Sequence, residues 1–232
     1  MIRLPQRLIA AIDTADPSRA RDLIGAVAPH CGLVKLGLEA FCALGPAVVD
    51  AAERKPVFLD LKLHDIPNTV AGAVRALLAR RPAMLTLHAG GGAAMIEAAR
   101  EAAEAGGASR PALLAVTVLT SLSTEALSET GIAGGPRQQV LRLARLALGA
   151  GADGLVCGAD EITILRDAFG PKPILVVPGI RPPGSDAGDQ ARVATPKAAI
   201  AAGADYIVVG RPITSAADPA SAAQAIARSI AR

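Results

Sequence analysis

Residues 57–69 read VFLDLKLHDIPNT, a run in which leucines alternate with charged residues ahead of a proline. Side chains point alternately to the two faces of a β-strand, so Phe58, Asp60 and Lys62 share one face and the leucines share the other. Pro67 suits the first turn of a helix, where its missing N–H does no harm. The stretch therefore predicts a buried strand followed by a helix.

The same strand-then-helix unit recurs along the chain. Short runs rich in β-branched residues and leucine are each followed by an Ala-rich segment of helical character. Strict alternation predicts a parallel α/β sheet, and eight units favour closure into a (β/α)8 TIM barrel, with an open doubly wound sheet as the alternative. Because no linker interrupts the chain, we expect a single barrel domain over residues 1–232. The predicted strands are 7–13, 33–38, 57–63, 84–90, 112–120, 154–158, 174–180 and 206–211, and the predicted helices are 16–30, 40–54, 67–81, 93–106, 136–150, 159–169, 191–203 and 218–231. Four of these helices have a proline near their start: Pro17, Pro46, Pro67 and Pro219.

Two of these units share a short sequence. Residues 150–158 read AGADGLVCG and residues 202–210 read AGADYIVVG. In both, a Gly-containing turn leads from a helix into a strand. The similarity is consistent with an internal repeat or with turn chemistry that the two loops have in common.

The composition favours a small anionic ligand over a nucleic acid or a membrane. Aromatic residues make up only 2% of the chain, which disfavours a base-stacking surface. The net charge is +3 and its Lys and Arg residues are scattered, so no basic stripe is present for DNA. No stretch approaches the ~20 apolar residues of a membrane span.

Cysteine and histidine spacing predicts neither disulfides nor a metal site. The three cysteines are far apart and form no C-x-x-C pair, and the three histidines lack metal-ligand spacing. The N-terminus has no secretory h-region. These features are typical of a protein of the reducing cytoplasm.

The charges of the opening stretch have a structural and a functional interpretation. In a barrel, Asp60 and Lys62 would face the lumen near the C-terminal mouth, where such barrels hold their active sites. Lys35 lies on the preceding strand, and Asp13 ends the strand before that. These side chains could form a purely structural ion-pair network, but apolar replacements of such networks are often as stable. Four charges on three successive strands therefore favour a function.

A second group of residues predicts a phosphate site at the same mouth. Phosphate sites in these barrels commonly lie in the loops after strands 7 and 8. Here those loops read PGIRPPGSDAGDQ (178–190) and GRPIT (210–214). The guanidinium groups of Arg181 and Arg211 can each bind an anion in a fork, and Gly210 leaves its backbone N–H unobstructed.

Two further segments are ambiguous. Thr120 and Ser121 end the fifth predicted strand, where their hydroxyls could cap the next segment or bind a ligand. The glycines 90–92 could form an anion-binding nest, but we interpret them as a turn into a helix.

The ordered set of motifs resembles the orotidine 5'-phosphate decarboxylase family. In DLKLHDIPNT the pattern D-x-K-x-x-D is formed by Asp60, Lys62 and Asp65, a pattern shared with neighbouring sugar-phosphate enzymes. The other motifs follow in order across nearly the whole chain and make the resemblance specific. They are AID ending at Asp13, VKLGLEAF around Lys35, VTVLTS ending in Thr120 and Ser121, VPGIR with Arg181, GDQARV with Gln190, and VVGRPIT with Gly210 and Arg211.

The resemblance implies a cofactor-free and metal-free decarboxylation of orotidine 5'-monophosphate to uridine 5'-monophosphate, in the cytoplasm, within de novo pyrimidine biosynthesis. The implied catalytic residues are Lys62, Asp60, Asp65 and Lys35. A homodimer is implied, in which Asp65 and Thr69 reach into the partner subunit's site. The implied substrate-binding residues are Asp13, Lys35, Asp60, Thr69, Thr120, Ser121, Arg181, Gln190, Gly210 and Arg211.

Two other functions remain open from the residues alone. Mg²⁺-dependent sugar-phosphate decarboxylases have a similar D-x-K-x-x-D strand. The HDIPNT continuation and the LTS and PGIR segments of this chain disfavour that function. A non-catalytic nucleotide-binding barrel would need neither Lys62 nor Asp60.

Overall fold

The computed structural model describes residues 4–53, 55–183 and 194–230. Within these ranges, eight parallel strands close into a barrel in which each strand pairs with the next and β8 pairs with β1. The predicted (β/α)8 barrel is confirmed, and the open doubly wound sheet is excluded. The strands are β1 (Leu8–Ile12), β2 (Leu33–Leu36), β3 (Val57–Leu63), β4 (Met84–His88), β5 (Ala112–Val116), β6 (Gly154–Val156), β7 (Ile174–Val177) and β8 (Tyr206–Val209).

Helices follow the strands, and their buried apolar faces pack against the outside of the barrel. Pro17, Pro67 and Pro219 stand at the first position of their helices, as the sequence predicts. In the described part of the chain, no helix is both long and apolar enough to cross a bilayer. The α-helices are α1 (Pro17–Val27), α2 (Leu38–Leu44), α3 (Pro67–Leu78), α4 (Ala93–Glu104), α5 (Thr124–Glu129), α6 (Pro136–Gly149), α7 (Ile162–Phe169), α8 (Pro196–Ala202), α9 (Arg211–Thr214) and α10 (Pro219–Ser229).

The apolar core has two layers, separated by the barrel wall. The outer layer lies between the strands and the helices, and it includes Leu59 and Leu61 of β3. The inner layer fills the lumen and includes Phe58 of the same strand. The predicted division of β3 into a leucine face and a lumen face is therefore confirmed. The buried lumen residues are Ile9, Ala11, Leu33, Phe58, Met84, Leu114, Val176 and Val208.

The predicted helix at 40–54 is wrong as a single element. The chain forms α2 and then a separate 3-10 helix, Pro46–Ala52. Gly45 between them has φ 67°, a left-handed conformation that ends a helix. Pro46 then starts the next turn, since it has no N–H to continue the first helix.

Other boundaries differ after β5 and around the loops near the mouth. β5 ends at Val116, so Thr120 and Ser121 follow the strand at some distance and do not end it. The short helices α5 and α9 were not predicted, because helices of six and four residues are too brief to show a 3.6-residue period. The glycines 90–92 form a turn that leads into α4, as predicted.

Candidate active site

β3 contains a bulge at the position of the predicted charged residues. The register with β4 shifts between Leu59 and Leu63, so residues 60–62 lie opposite Thr86 alone. Lys62 has φ 49°, a left-handed backbone that costs roughly 1–2 kcal/mol in a residue with a Cβ. Bulges and strained residues of this kind often lie beside active sites, where they redirect a side chain.

Four predicted residues from three adjacent strands form one row of alternating charge. Lys62 Nζ lies 2.9 Å from Asp60 Oδ1. Lys35 Nζ lies 3.5 Å from Asp60 Oδ2 and 3.2 Å from Oδ2 of Asp13. The Lys35 and Asp60 side chains are only 11% and 15% exposed. The two ends of the row are more open, since Asp13 is 42% exposed and Lys62 is 33% exposed. The structure thus brings together Asp13, Lys35, Asp60 and Lys62.

The electrostatics of the row keep Asp60 ionised at neutral pH. Burial raises the pKa of its carboxyl, but the charges of Lys35 and Lys62 and hydrogen bonds from Lys62 and Thr86 lower it further than burial raises it. The resulting pKa lies below the ordinary value of 3.8. A carboxylate is therefore held against the Lys62 amine inside the barrel mouth.

A cavity of about 190 Å³ lies over the end of this row. Its polar side is formed by Lys35, Asp60, Lys62 and Thr120. A few polar groups set against an apolar wall are the usual make-up of a small-molecule site. The apolar wall consists of Phe58, Val116, Val118, Leu119, Val156, Cys157, Pro178 and Val208.

A second cavity of about 500 Å³ adjoins the first and carries the predicted phosphate residues. Asp13, Arg181, Gly210 and Arg211 line it. Pro178 and Val208 line both cavities, so the two adjoin at the mouth. Arg181 is 9% exposed, and its Nη1 donates to the Ile180 carbonyl at 3.0 Å. The barrel mouth therefore combines a charged, apolar-walled pocket with an arginine-lined depression.

The other predicted site residues lie outside these two groups. Asp65 is exposed beyond β3 and its carboxylate accepts the N–H of Ile66 at 2.6 Å, while the ion pair of Lys62 within the described ranges is with Asp60. Thr69 is exposed on the first turn of α3. Ser121 lines a neighbouring depression of about 460 Å³. Gln190 lies outside the described residues.

Two residues of the site were missed by the sequence analysis. The Thr86 hydroxyl bonds both Asp60 and the backbone of Lys62. Gly37 donates its N–H to Asp13 Oδ1 at 3.1 Å, and a Cβ at this position would lie 2.2 Å from that oxygen. The alternation of β4 places Thr86 in the lumen, so a hydroxyl at that position was the available signal. No comparable signal marks Gly37.

His64 and His88 stack on each other near Lys62. Their ring centroids are 5.2 Å apart with an interplanar angle of 12°. Burial lowers the pKa of His88, and the nearby His64 and Lys62 lower it further. His88 Nδ1 accepts the N–H of Gly90 at 3.0 Å, which requires that nitrogen to be unprotonated. Across residues 4–53, 55–183 and 194–230, no three His, Cys, Asp or Glu side chains form a group that could hold a metal ion.

Comparison with known proteins identifies the family. Residues 6–226 match the model of the orotidine 5'-phosphate decarboxylase / HUMPS family. The chain is 57% identical to an orotidine 5'-phosphate decarboxylase of Anaeromyxobacter sp. (strain K), with 96% of this chain and 97% of the relative covered. It is 52% identical to that of Thermobifida fusca (strain YX), with 95% and 94% covered.

Solved structures give the same result. The crystal structure of orotidine 5'-phosphate decarboxylase from Lactobacillus acidophilus superposes with a TM-score of 0.87 at 38% identity, covering 98% of this chain and 100% of that one. Sequence, fold and motif order agree over almost the whole length. The chain belongs to the orotidine 5'-phosphate decarboxylase / HUMPS family.

Proposed function

We propose that the chain decarboxylates orotidine 5'-monophosphate to uridine 5'-monophosphate and CO2, as the names of its relatives indicate. The observation that carries the proposal is the row from Asp13 through Lys35 and Asp60 to Lys62, which borders a pocket that adjoins an arginine-lined depression. A nucleotide fits both cavities, because its flat ring can occupy the pocket beside Lys62 and its phosphate can occupy the arginine-lined depression.

Lys62 acts as the acid of the reaction. When the bond between C6 of the pyrimidine and the carboxylate carbon breaks, its electron pair stays on C6 and neutral CO2 leaves. The cationic Lys62 amine, held by the Asp60 carboxylate at 2.9 Å, stabilises that negative charge and gives its proton to C6. Water then returns a proton to the amine.

Asp60 positions the Lys62 amine and also destabilises the bound substrate by repelling its carboxylate. Its carboxylate, whose pKa is held below the usual range by Lys35 and Lys62 against the effect of burial, stays negative next to the departing carboxylate of the substrate. Repulsion between the two anions is relieved as CO2 leaves, which favours the transition state over bound substrate. Lys35 holds Asp60 from the other side, and together with Asp13 it binds the ribose hydroxyls.

The phosphate is bound away from the reacting carbon. Arg181, Gln190, Gly210 and Arg211 bind it, and support comes from the cavity that three of them line. Binding energy from this remote group fixes the ring over Lys62, so it contributes to the rate as well as to affinity. Thr120 and Ser121 bind the carbonyl and imide edge of the pyrimidine.

The active form is a homodimer with shared sites, in the cytoplasm, serving de novo pyrimidine biosynthesis. Asp65 and Thr69 contact the substrate bound to the partner subunit. In support, both are exposed, and Ile66 between them presents an apolar side chain that is 67% exposed and that a partner subunit would cover.

One assay tests the activity against its alternatives. Loss of orotidine 5'-monophosphate absorbance is followed with EDTA in the buffer. We expect full turnover, because every chemical step is assigned to side chains of the protein. Turnover that disappears with EDTA and returns with Mg²⁺ would show that the decarboxylation needs a metal ion and would overturn the metal-free mechanism. A sugar-phosphate enzyme would leave orotidine 5'-monophosphate unchanged in either buffer. Binding of the nucleotide without turnover in either buffer would point to a non-catalytic barrel.

A further inference from the structure

The Thr86 hydroxyl is the one contact outside β3 that joins the backbone of Lys62 to the side chain of Asp60 within the described residues. Thr86 is completely buried in the lumen. Its Oγ1 accepts the N–H of Lys62 at 2.8 Å and donates to Asp60 Oδ1 at 3.0 Å. A hydroxyl has one hydrogen to donate and two lone pairs to accept with, so both bonds form at once.

The bulge in β3 explains why Lys62 needs this partner. In a regular parallel ladder, its N–H would bond to a carbonyl of the neighbouring strand. Here residues 60–62 face a single residue of β4, and Lys62 has turned to φ 49°. A buried N–H must still be satisfied, and a side-chain oxygen takes the place of the missing carbonyl.

The same bond fixes the direction of the Lys62 side chain. A residue with a Cβ holds a left-handed backbone only where its surroundings enforce it. Asp60 Oδ1 is held by Thr86 from one side and contacts Lys62 Nζ at 2.9 Å on the other. The backbone and the amine of Lys62 are therefore both tied, through three short contacts, to one hydroxyl on β4.

We propose that Thr86 is a positioning residue, which sets the Lys62 amine and the Asp60 carboxylate in their reactive arrangement. This inference rests on the proposed decarboxylation. Thr86 does not line the cavity and so acts through these two residues, without contact to the substrate.

Thr86→Val removes the hydroxyl and keeps the shape of the side chain. The Lys62 N–H then loses its acceptor and Asp60 loses a donor. We expect kcat to fall about 10- to 100-fold, the effect of one hydrogen bond to a charged group. KM and the affinity for uridine 5'-monophosphate should change little, because phosphate and ribose contacts are untouched. Thr86→Ser, which restores the hydroxyl, should recover most of the rate.

Thr117→Val is the matched control. Thr117 is another buried threonine, 1% exposed and directly after β5, and its hydroxyl donates to the Val156 carbonyl at 3.3 Å without contacting Asp60 or Lys62. Its kcat should stay near that of the parent protein. If Thr86→Val does not fold, Thr86→Cys serves in its place, since a thiol of similar size is a weak donor and weak acceptor.

Exchange of the C6 hydrogen of uridine 5'-monophosphate in D2O gives a second readout. This reaction uses the Lys62 proton transfer but releases no CO2. If Thr86→Val lowered only the free energy of unfolding, the exchange rate of the folded variant would be unaltered. We expect Thr86→Val to slow it by about the same factor as kcat. Unaltered kcat or exchange in Thr86→Val, equal rates for the Val and Ser variants, or an equal loss in Thr117→Val would each overturn the positioning role. Absence of turnover in the parent protein would instead overturn the proposed function.

Discussion

At Lys62 the strain is in the backbone, while the charge is at the far end of the side chain. The left-handed φ of 49° costs roughly 1–2 kcal/mol, and the same turn directs the amine to within 2.9 Å of Asp60. A regular strand would form the backbone hydrogen bonds without this conformational cost. The site therefore gives up local stability for a fixed position of one cation.

Lys62→Ala should nearly abolish decarboxylation. The variant loses both the proton donor and the positive charge next to C6, and general acid catalysis alone contributes about 10²- to 10⁴-fold. Binding of uridine 5'-monophosphate should stay measurable, because the arginine-lined depression is unchanged. Initial rates by absorbance and product binding by calorimetry measure the two effects. Lys172→Ala, at an exposed position, is the control, and a near-normal rate in Lys62→Ala would remove the proposed acid.

Arg211→Ala should weaken phosphorylated ligands selectively. A guanidinium bound to a phosphate makes charged hydrogen bonds, so we expect about a 10- to 100-fold loss in affinity for uridine 5'-monophosphate. Affinity for uridine itself should hardly change. Paired calorimetric titrations of nucleotide and nucleoside measure the difference, with the exposed Arg228→Ala as control. Equal losses for both ligands would contradict the phosphate assignment.

Sequence reasoning predicted the charged residues that the structure brings together in the candidate site, but not the residues that support them. Charges at inward positions of apolar strands are conspicuous, since burial of an ion needs a reason. Thr86 and Gly37 carry no such mark. Their roles depend on a bulge and on a close backbone approach, and both are features of how neighbouring strands meet in space.

At the level of elements, the repeated AGAD sequence is explained by a shared strand clamp. The Asp153 carboxylate accepts the N–H of Leu113 at the start of β5, and Asp205 accepts the N–H of Leu175 in β7. Each aspartate also pairs with an arginine from earlier in the chain, Asp153 with Arg110 and Asp205 with Arg166. The aspartate in the loop before β6 therefore holds β5, and the aspartate in the loop before β8 holds β7. The shared turn chemistry gives the similarity a structural reason.

Asp153→Asn tests how much this clamp stabilises the barrel. The Asp153 carboxylate contacts Arg100 at 2.9 Å and Arg110 at 2.8 Å, and its side chain is 19% exposed. Loss of its charged hydrogen bonds should cost about 2–3 kcal/mol at neutral pH, a fall in Tm of about 4–12 °C. Asp50→Asn is the control. Its partner is Arg80, but the Asp50 side chain is 62% exposed, and exposed pairs contribute little.

The pH dependence of the same variant has a definite sign. Burial raises the pKa of Asp153, but the hydrogen bonds from Arg110 and Leu113 and the arginine charges bring it below the ordinary 3.8. Its stabilising effect is complete above pH ~4 and is lost as the pH falls through the lower folded-state pKa. Thermal melts from pH 7 down should therefore show the parent and Asp153→Asn converging in acid. A difference that stays constant below pH 4 would show that the charge of Asp153 is not the stabilising feature.

Element boundaries were predictable where a residue forces them and not where packing decides. Proline at the first helical turn fixed the starts of α1, α3 and α10. Pro46 was recognised, yet the left-handed Gly45 before it, which divides the predicted helix, was not. Short helices such as α9 depend on contacts around the mouth and leave no periodic pattern.

For the whole molecule, the alternation of strand and helix was enough to predict the closed barrel. Two apolar layers, one in the lumen and one beneath the helices, require each strand to be apolar on both faces, and this is what the sequence contains. The exceptions to that rule are the charged lumen residues, so the same pattern that predicted the fold also indicated the candidate site. The sequence contains no such pattern for subunit assembly. An exposed residue such as Asp65 looks the same in the sequence whether it contacts water or a partner subunit.

A shared-site homodimer makes a prediction that a monomer cannot satisfy. Lys62→Ala protein should lack activity because each site lacks its acid, and Asp65→Ala protein should be impaired because each site lacks the carboxylate from the partner. In a hybrid dimer, one site carries both changes and the other carries neither. Random exchange makes half of the dimers hybrid, so mixing equal amounts should restore about a quarter of parental activity.

The control for this experiment combines two changes that would act in the same subunit. Lys62 and Asp60 are paired within one chain at 2.9 Å, so each site of a Lys62→Ala and Asp60→Ala hybrid keeps one defect and no activity should return. Subunit exchange is promoted by co-expression with two affinity tags, and the doubly tagged fraction is assayed directly. Recovery in the Asp65 mixture but not in the Asp60 mixture would establish that Asp65 acts across the interface. No recovery in a purified Asp65 hybrid would mean that each subunit builds its site from its own residues, since the hybrid fraction excludes failed exchange as the cause.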